Sequence, residues 1–281
     1  MIAAVLALAI AQAAPAPPPP AVPLAPTSAW RLDRAPFCTI ARDYDRPGEP
    51  LTIGWQRVPA APLTIRLMIL LAPVDTKSAP HEIAKAFPKT GTVTIGGTAI
   101  QSDFGWYLPD EPGALVVQFV MRRADLDALI DAPTTAPPPM TIAIENHAPV
   151  TLNLADLRQS FARLETCNEA AEAELGITAE ERAAIAERPL RQDGIWITSD
   201  DYPSAALRED VEGTSWVVLR VAVDGSVDDC RLALTSGSDV LDQTTCRLLR
   251  KRGRFKPATD RQGKPVVSHI MQPVRWALSD L

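Results

Sequence analysis

Residues 213–246 read GTSWVVLRVAVDGSVDDCRLALTSGSDVLDQTTC, and the folding of this stretch decides the C-terminal third of the chain. Two apolar runs flank Asp224-Gly225, and a helix-like run follows. Asp-Gly between apolar runs is a strong hairpin signal, and a two-residue type I′ turn predicts the register. Val223 then pairs with Ser226, Val221 with Asp228, Leu219 with Cys230 and Val217 with Leu232. Side chains alternate along a strand, so Val217, Leu219, Val221 and Val223 share one face. Cys230, Leu232 and Leu234 join that face, and Cys230 looks into the core beside Leu219.

In the run that follows, Ser238 or Asp239 can cap a helix start, and Gly253 sits where a C′ residue belongs. Val240, Leu241, Cys246, Leu248 and Leu249 are candidates for the buried helix surface. A helix packed on the apolar sheet face aims Cys246 at the surface that carries Cys230. A Cys230–Cys246 bridge would staple helix to sheet, closing a loop of about 15 residues and adding on the order of 3 kcal/mol. The plainer alternative is a pair of unbonded buried thiols, which behave as small hydrophobes.

The last apolar run is KPVVSHIMQPVRWAL, residues 264–278. Val266, Ile270, Val274 and Trp276 alternate on one face. Pro273 cannot donate to a ladder, so this strand belongs at an edge. The expected unit is β-β-α-β. Its first strand, apolar through Trp216–Val223, is central, and its third returns beside the first by a right-handed crossover.

The rest of the chain bounds the answer. It has 281 residues, 46% hydrophobic residues and a net charge of −6. That length suits two domains. The charge gives no reason to expect nucleic acid or an anionic membrane as the main partner. The 27 prolines concentrate near residues 15–26, 59–62 and 133–139, where they mark loops and linkers. Residues 1–11 are wholly apolar, and Ala11-Gln12-Ala13 has the small-x-small form of a signal-peptidase site. Residues 1–13 thus read as a signal peptide and 14–29 as a Pro/Ala-rich spacer. Residues 30–175 read as a β-rich α+β domain of unknown function, 176–194 as a helical connector and 195–281 as the C-terminal unit. The overall class is α+β.

Within 30–175, strand-like runs are 51–56, 63–71, 92–95, 114–120, 140–145 and 150–154, with a short helix over 123–132. A longer helix over 155–175 places Leu157, Phe161, Leu164, Cys167 and Ala171 on one face. Cys38 lies near the start of the unit. A Cys38–Cys167 bridge would tie the first segment to the last helix and close a long loop. In the connector, Thr178 and Glu181 form a capping-box pattern. Four cysteines, an even number, suit an oxidising compartment. No C-x-x-C supports a zinc or redox site.

Several residues together carry a resemblance. They are Tyr202-Pro203, Gly213 before the first strand, Asp224-Gly225, TSGSDVLD at 235–242 with Gly237, Leu241 and Asp242, FKPA at 255–258 with Phe255 and Pro257, and GKPV at 263–266 with Gly263 and Pro265. In this order they resemble the C-terminal domain of TonB-like energy transducers, over about residues 196–279. Family members in many alphaproteobacteria are similar, including cysteines at the positions of Cys230 and Cys246. The upstream unit, with Cys38 and LRQSFARLETC at 157–167, resembles a domain that precedes such modules there. The resemblance implies a non-enzymatic exported protein of the periplasm. Its partner would be a peptide segment of an outer-membrane receptor or another envelope protein, docked through the last strand. Val267, His269, Met271 and Arg275 lie opposite the core face of that strand and would meet alternate side chains of the peptide. Two features depart from a transducer. The apolar start is short for a membrane helix and carries no His. The Pro-rich stretch, at roughly 3.1 Å per residue, reaches only about 40 Å. The alternatives are an upstream enzyme or ligand-binding domain anchored by the module, or a membrane-anchored transducer whose start lies further upstream.

No other motif points to catalysis, a cofactor or a metal. His81, His147 and His269 lack ligand spacing. Asp200-Asp201 and Asp228-Asp229 read as solvated loop charge rather than acid pairs. Arg250, Lys251, Arg252, Arg254 and Lys256 read as cations complementing a helix C-terminus, with an acidic peptide or lipid headgroup as the alternative. Trp106-Tyr107 fits a groove wall or a hairpin core equally.

Overall fold

A computed structural model describes residues 22–34, 36–46, 49–71, 88–107, 115–130 and 138–278. The expected signal peptide, residues 14–21 of the expected spacer and His81 lie outside the described residues. So do the side chains of Trp106 and Tyr107.

The upstream unit holds two antiparallel sheets. The larger runs in the order β1 (Arg31–Asp33), β2 (Thr39–Arg46), β3 (Glu49–Gln56), β4 (Thr64–Leu71), β8 (Leu115–Arg122) and β7 (Ser102–Tyr107). The smaller runs β10 (Val150–Leu152), β9 (Met140–Ile144), β5 (Gly91–Ile95) and β6 (Thr98–Ile100). Helix α1 (Arg123–Ile130) continues from β8, and α2 (Leu157–Glu174) follows β10. Alternation along the strands turns Trp55, Leu67, Ile69 and Phe119 of one sheet toward Val93, Ile95, Met140 and Ile142 of the other. Phe161 and Leu164 of α2 share that core, as the helical spacing predicts. Cys167, on the same side of α2, is bonded to Cys38, with Cα atoms 5.9 Å apart.

Residues 22–29, the described part of the expected spacer, are attached to this unit. The Leu24 N–H donates to the Thr151 carbonyl at 2.8 Å, and the Thr27 N–H to that of Asp43 at 2.9 Å. Apolar Leu24 packs on the core edge, so burial overrides the Pro-rich composition there.

After α2 comes α3 (Ala179–Ala184), capped as expected: the Thr178 hydroxyl accepts from the Glu181 N–H at 3.1 Å, and the Glu181 carboxylate accepts from the Thr178 N–H at 3.2 Å. The chain then pairs β11 (Leu190–Arg191) with β14 (Phe255–Lys256), so the end of the connector belongs to the C-terminal unit. There α4 (Ser204–Arg208) precedes β12 (Gly213–Val221), β13 (Val227–Leu234), α5 (Asp239–Arg252), the short pair β15 (Ala258–Thr259) and β16 (Pro265–Val266), and β17 (Ser268–Trp276). The sheet order is β13-β12-β17. β12 is central and β17 is at an edge, as expected. The pairing of β17 with β12 is antiparallel, so the crossover rule for parallel strands does not apply.

The hairpin keeps the expected pairs Leu219–Cys230 and Val217–Leu232 but turns differently. Gly225 donates to the Ala222 carbonyl at 2.9 Å, and Ala222 bonds Ser226. The loop is therefore the three residues Val223-Asp224-Gly225, with Gly225 at φ 82°. This moves Val221 opposite Val227. Asp228 then bulges, and the bulge restores the register beyond it. Val223, expected in the core, is exposed at this turn, and Leu232 is 44% exposed on the outer strand beyond the cover of α5. Val240 is exposed in the first turn of α5. Cys230 and Cys246 are bonded, with Cα atoms 5.5 Å apart, and staple β13 to α5.

Both faces of β12 are covered. Val217, Leu219 and Val221 pack with Leu249 and Phe255 beneath α5. Val218, with Met271 and Ala233, packs against Ala60, Leu175 and Ile177 from upstream. Phe37 meets Trp216 edge-on at 5.5 Å between ring centres. The unbroken apolar run Trp216–Leu219 is what a strand buried on both sides needs.

Candidate peptide-docking edge

The motif residues of the C-terminal unit build its frame. Just before α4, the Tyr202 hydroxyl donates to the Val211 carbonyl at 2.7 Å, and its ring meets Trp276 edge-on at 5.3 Å. Pro203 starts α4. At Gly213 a Cβ would stand 2.2 Å from the Ser236 carbonyl oxygen, and at Gly225 1.9 Å from that of Phe255. Only glycine permits either approach. Asp242, on α5, is 6% exposed and gathers the turn before its own helix. Its carboxylate accepts from Ser215 Oγ at 2.7 Å, Thr235 Oγ1 at 2.6 Å and the Ser236 N–H at 3.0 Å. Burial pushes its pKa up, but these hydrogen bonds outweigh burial and hold it below the usual carboxylate value. Trp276 Nε1 donates to Thr245 Oγ1 at 2.9 Å, which locks the end of β17 to α5. Leu241 is fully buried. Gly237 and Gly263 occupy left-handed turn positions, Pro257 precedes β15, and Pro265 opens β16.

The two edges of this sheet differ. β13 is broken by bulges at Asp228 and Ala233 and carries Asp228, Asp229 and Arg231, features that discourage strand addition. β17 runs beside β12 in unbroken register from Ser268 to Trp276. Among the described residues, no backbone hydrogen bond joins β17 to any element but β12. Pro273 lies opposite Trp216. It has no N–H, so this must be a non-hydrogen-bonded pair whose backbone faces away from β12. By alternation, the N–H and C=O groups of His269, Met271 and Arg275 point to the open edge too.

The side chains expected to meet a peptide are divided. Arg275 is exposed and Val267 half-buried. Met271 packs against the upstream unit. His269 is only 6% exposed and lines the contact with Ile185 and Ala60. The upstream unit covers this face of the sheet, so the His269 ring faces that unit rather than open solvent. Burial lowers its pKa, against a rise from Glu181. The loop 60–64 and residues 185–189 border the start of the edge, leaving its end, 271–276, open. No sequence signal marked this cover beyond the double-sided apolar pattern of β12.

The other charged candidates are structural. Asp201 accepts from Arg252 at 2.5 and 2.9 Å, which holds its pKa down to about 2. Asp229 pairs with Arg231 at 3.0 Å and Asp228 with Arg220. His147 is exposed. Among the described residues, no group of three His, Cys, Asp or Glu side chains gathers as a metal site, and no helix is long and apolar enough to cross a membrane. The upstream unit bears a broad groove of about 630 Å³ between Leu32, Arg34 and α2, far from β17 in the chain. Arg34 there is paired with Glu174 at 2.5 Å.

The C-terminal unit is thus a β-β-α-β module, a three-stranded sheet backed by one helix with one guarded edge and one open edge. Residues 199–278 match the family described as Gram-negative bacterial TonB protein C-terminal, so the C-terminal unit is a TonB C-terminal domain. The match concerns that unit alone, and the family is not an enzyme family. No curated protein matches the chain.

Proposed function

We propose that this is an exported envelope protein that acts by binding rather than catalysis, its TonB-type module adding an extended peptide from an outer-membrane receptor or another envelope protein to the open edge of β17. The observation that carries this reading is the unpaired backbone at 271–276, beside an opposite edge that bulges and charges close. Backbone hydrogen bonds would supply sequence-tolerant affinity. The apolar start and Ala11-Gln12-Ala13 support export to the periplasm with cleavage after about residue 13, and the disulfide pairs suit that compartment. The test is to titrate the oxidised chain with N-terminal peptides of outer-membrane receptors and follow backbone amide shifts. Movement centred on 271–276 is expected. Still amides there, with shifts elsewhere, would refute the edge.

A second reading, with the upstream unit as the ligand-binding half and the module as its anchor, is favoured by the groove between Leu32 and α2. Ligand-induced shifts confined to residues 159–170 would support it.

A further inference from the structure

One cavity joins the upstream unit to the open edge. It holds about 110 Å³ and is walled by Ala60, Pro62 and Leu63 of the β3–β4 loop, Ile185 and Pro189 of the connector, and Ile270 of β17. His269 lines it as well. His269 and Ile270 are adjacent on one strand, so their side chains leave on opposite faces. Both border this one cavity, an arrangement that suits a space at the strand's edge. A peptide paired along 271–276 and continued by one or two residues therefore reaches this space.

We propose that the cavity is a side-chain socket at the end of the docking edge, built by the upstream unit, and that it takes an aliphatic side chain of an extended peptide with an acidic neighbour. The proposal rests on the docking reading above and gives the upstream unit a part in it. Three observations support this occupant. Most of the walls are aliphatic, and burial lowers the pKa of His269, which favours its neutral form. The volume suits one branched side chain and not a ring system. Arg188 stands at the cavity, is exposed and has no carboxylate partner among the described residues. Arg275, at the other end of the open stretch, is exposed likewise.

The test uses the oxidised full chain and acetylated heptapeptides of Thr with one Asp, in which a single residue is Gly, Val or Trp. Both Gly and Val peptides should move the amides of 271–276. Only the Val peptide should also move those of 60–64, and it should bind about tenfold tighter than the Gly peptide, with Trp no better than Gly. Ala61 also lines the cavity, and Ala61→Phe, which fills it, should erase the Val advantage. The peptide series on the unaltered chain decides the matter even if that variant folds poorly. Equal binding of all three peptides at 271–276 would overturn the socket while leaving the docking edge standing. No movement of 271–276 with any peptide would overturn both. Two results would give the space to another occupant and overturn the proposal: a dimer dispersed by Ala61→Phe, or a chain lacking residues 14–21 that gains affinity for every peptide alike.

Discussion

Met271 lies opposite Val218 in the β12–β17 ladder, and both side chains pack against the upstream residues Ala60 and Ile177. The two units thus share an apolar contact. Val218 is 1% exposed, so Val218→Ala should destabilise the chain by about 2 kcal/mol in denaturant unfolding. Val218→Asp should go further, because an unpaired carboxylate cannot stay buried there. Limited proteolysis should then cut the connector at 176–194 several-fold faster. An unchanged cleavage rate would mean that the contact does not hold the units together.

Asp242 is the polar counterpart of that packing. Its carboxylate serves three donors at the entry to α5, and its pKa lies below the ordinary 3.8. A carboxyl whose folded pKa is depressed stabilises the fold above the unfolded value and loses that contribution as pH falls through the folded one. Asp242→Asn should cost about 2 kcal/mol near neutral pH. The gap to wild type should narrow below pH 3.8, as pH falls toward the lower folded value at which the wild-type carboxylate itself takes up a proton. Urea melts at pH 7 and pH 3 measure both. A gap that is constant with pH would remove the charge from the argument.

How far the sequence reached can be seen residue by residue. The C-terminal order, the central place of β12 and both cysteine pairs were legible because alternation and helical spacing act locally. The Val223–Ser226 pair was not. Asp-Gly suits both a two-residue turn and a three-residue turn with Gly225 left-handed, and the bulge at Asp228 hides the difference downstream. Strand β2 carries no clear alternation signal, because its charges, Arg42 and Asp43, break the pattern. Arg42 is nevertheless buried, with its guanidinium bonded to the Ala155 carbonyl at 2.6 Å and the Ser28 carbonyl at 2.8 Å. At the site, the edge was readable from Pro273. The cover over His269 was not, since it depends on where a second unit docks.

The two disulfides should open at different rates. Cys38 is 1% exposed and leaves only its half-buried partner Cys167 open to attack, whereas Cys230 and Cys246 are both half-buried, so that bond offers two sulfurs. Exchange needs a thiolate to reach a sulfur. Timed reduction with mapping of alkylated peptides should therefore show Cys230 and Cys246 labelled first. Replacing that pair by alanines should lower the stability of the module by about 3 kcal/mol in the chain-entropy account. Earlier labelling of Cys38 would contradict the burial argument.

His269 should make the contact between the units sensitive to acid. Its ring lies between the upstream unit and β17, with Glu181, Asp228, Arg220 and Arg231 acting on it and Glu172 and Arg182 lining the same small cavity. Burial lowers its pKa below 6.5. The folded state therefore favours the neutral ring. Stability is full above the unfolded pKa and falls as pH drops from 6.5 toward the lower folded value. His269→Gln should flatten that part of the pH–stability curve. Proteolysis of the connector between pH 7 and pH 5 reads the same change. A variant that keeps the wild-type slope would assign it to other groups.

Pro273 is the one interruption on the open edge. Its carbonyl faces outward and already accepts from Gln272 Nε2 at 2.8 Å, and it has no N–H to offer. The edge therefore presents N–H groups at Met271 and Arg275 with a gap between them. Pro273→Ala would fill the gap without touching the core face, since Pro273 is exposed. One added backbone hydrogen bond corresponds to about 1 kcal/mol, or roughly fivefold tighter binding of a docked peptide. The same change removes the device that keeps one edge from pairing with another. The variant should therefore self-associate at concentrations where the wild type stays dispersed, and added peptide should compete with that association. Sedimentation velocity with and without peptide checks both effects at once. If Pro273→Ala alters neither peptide affinity nor association, the open edge is not where this module meets other chains.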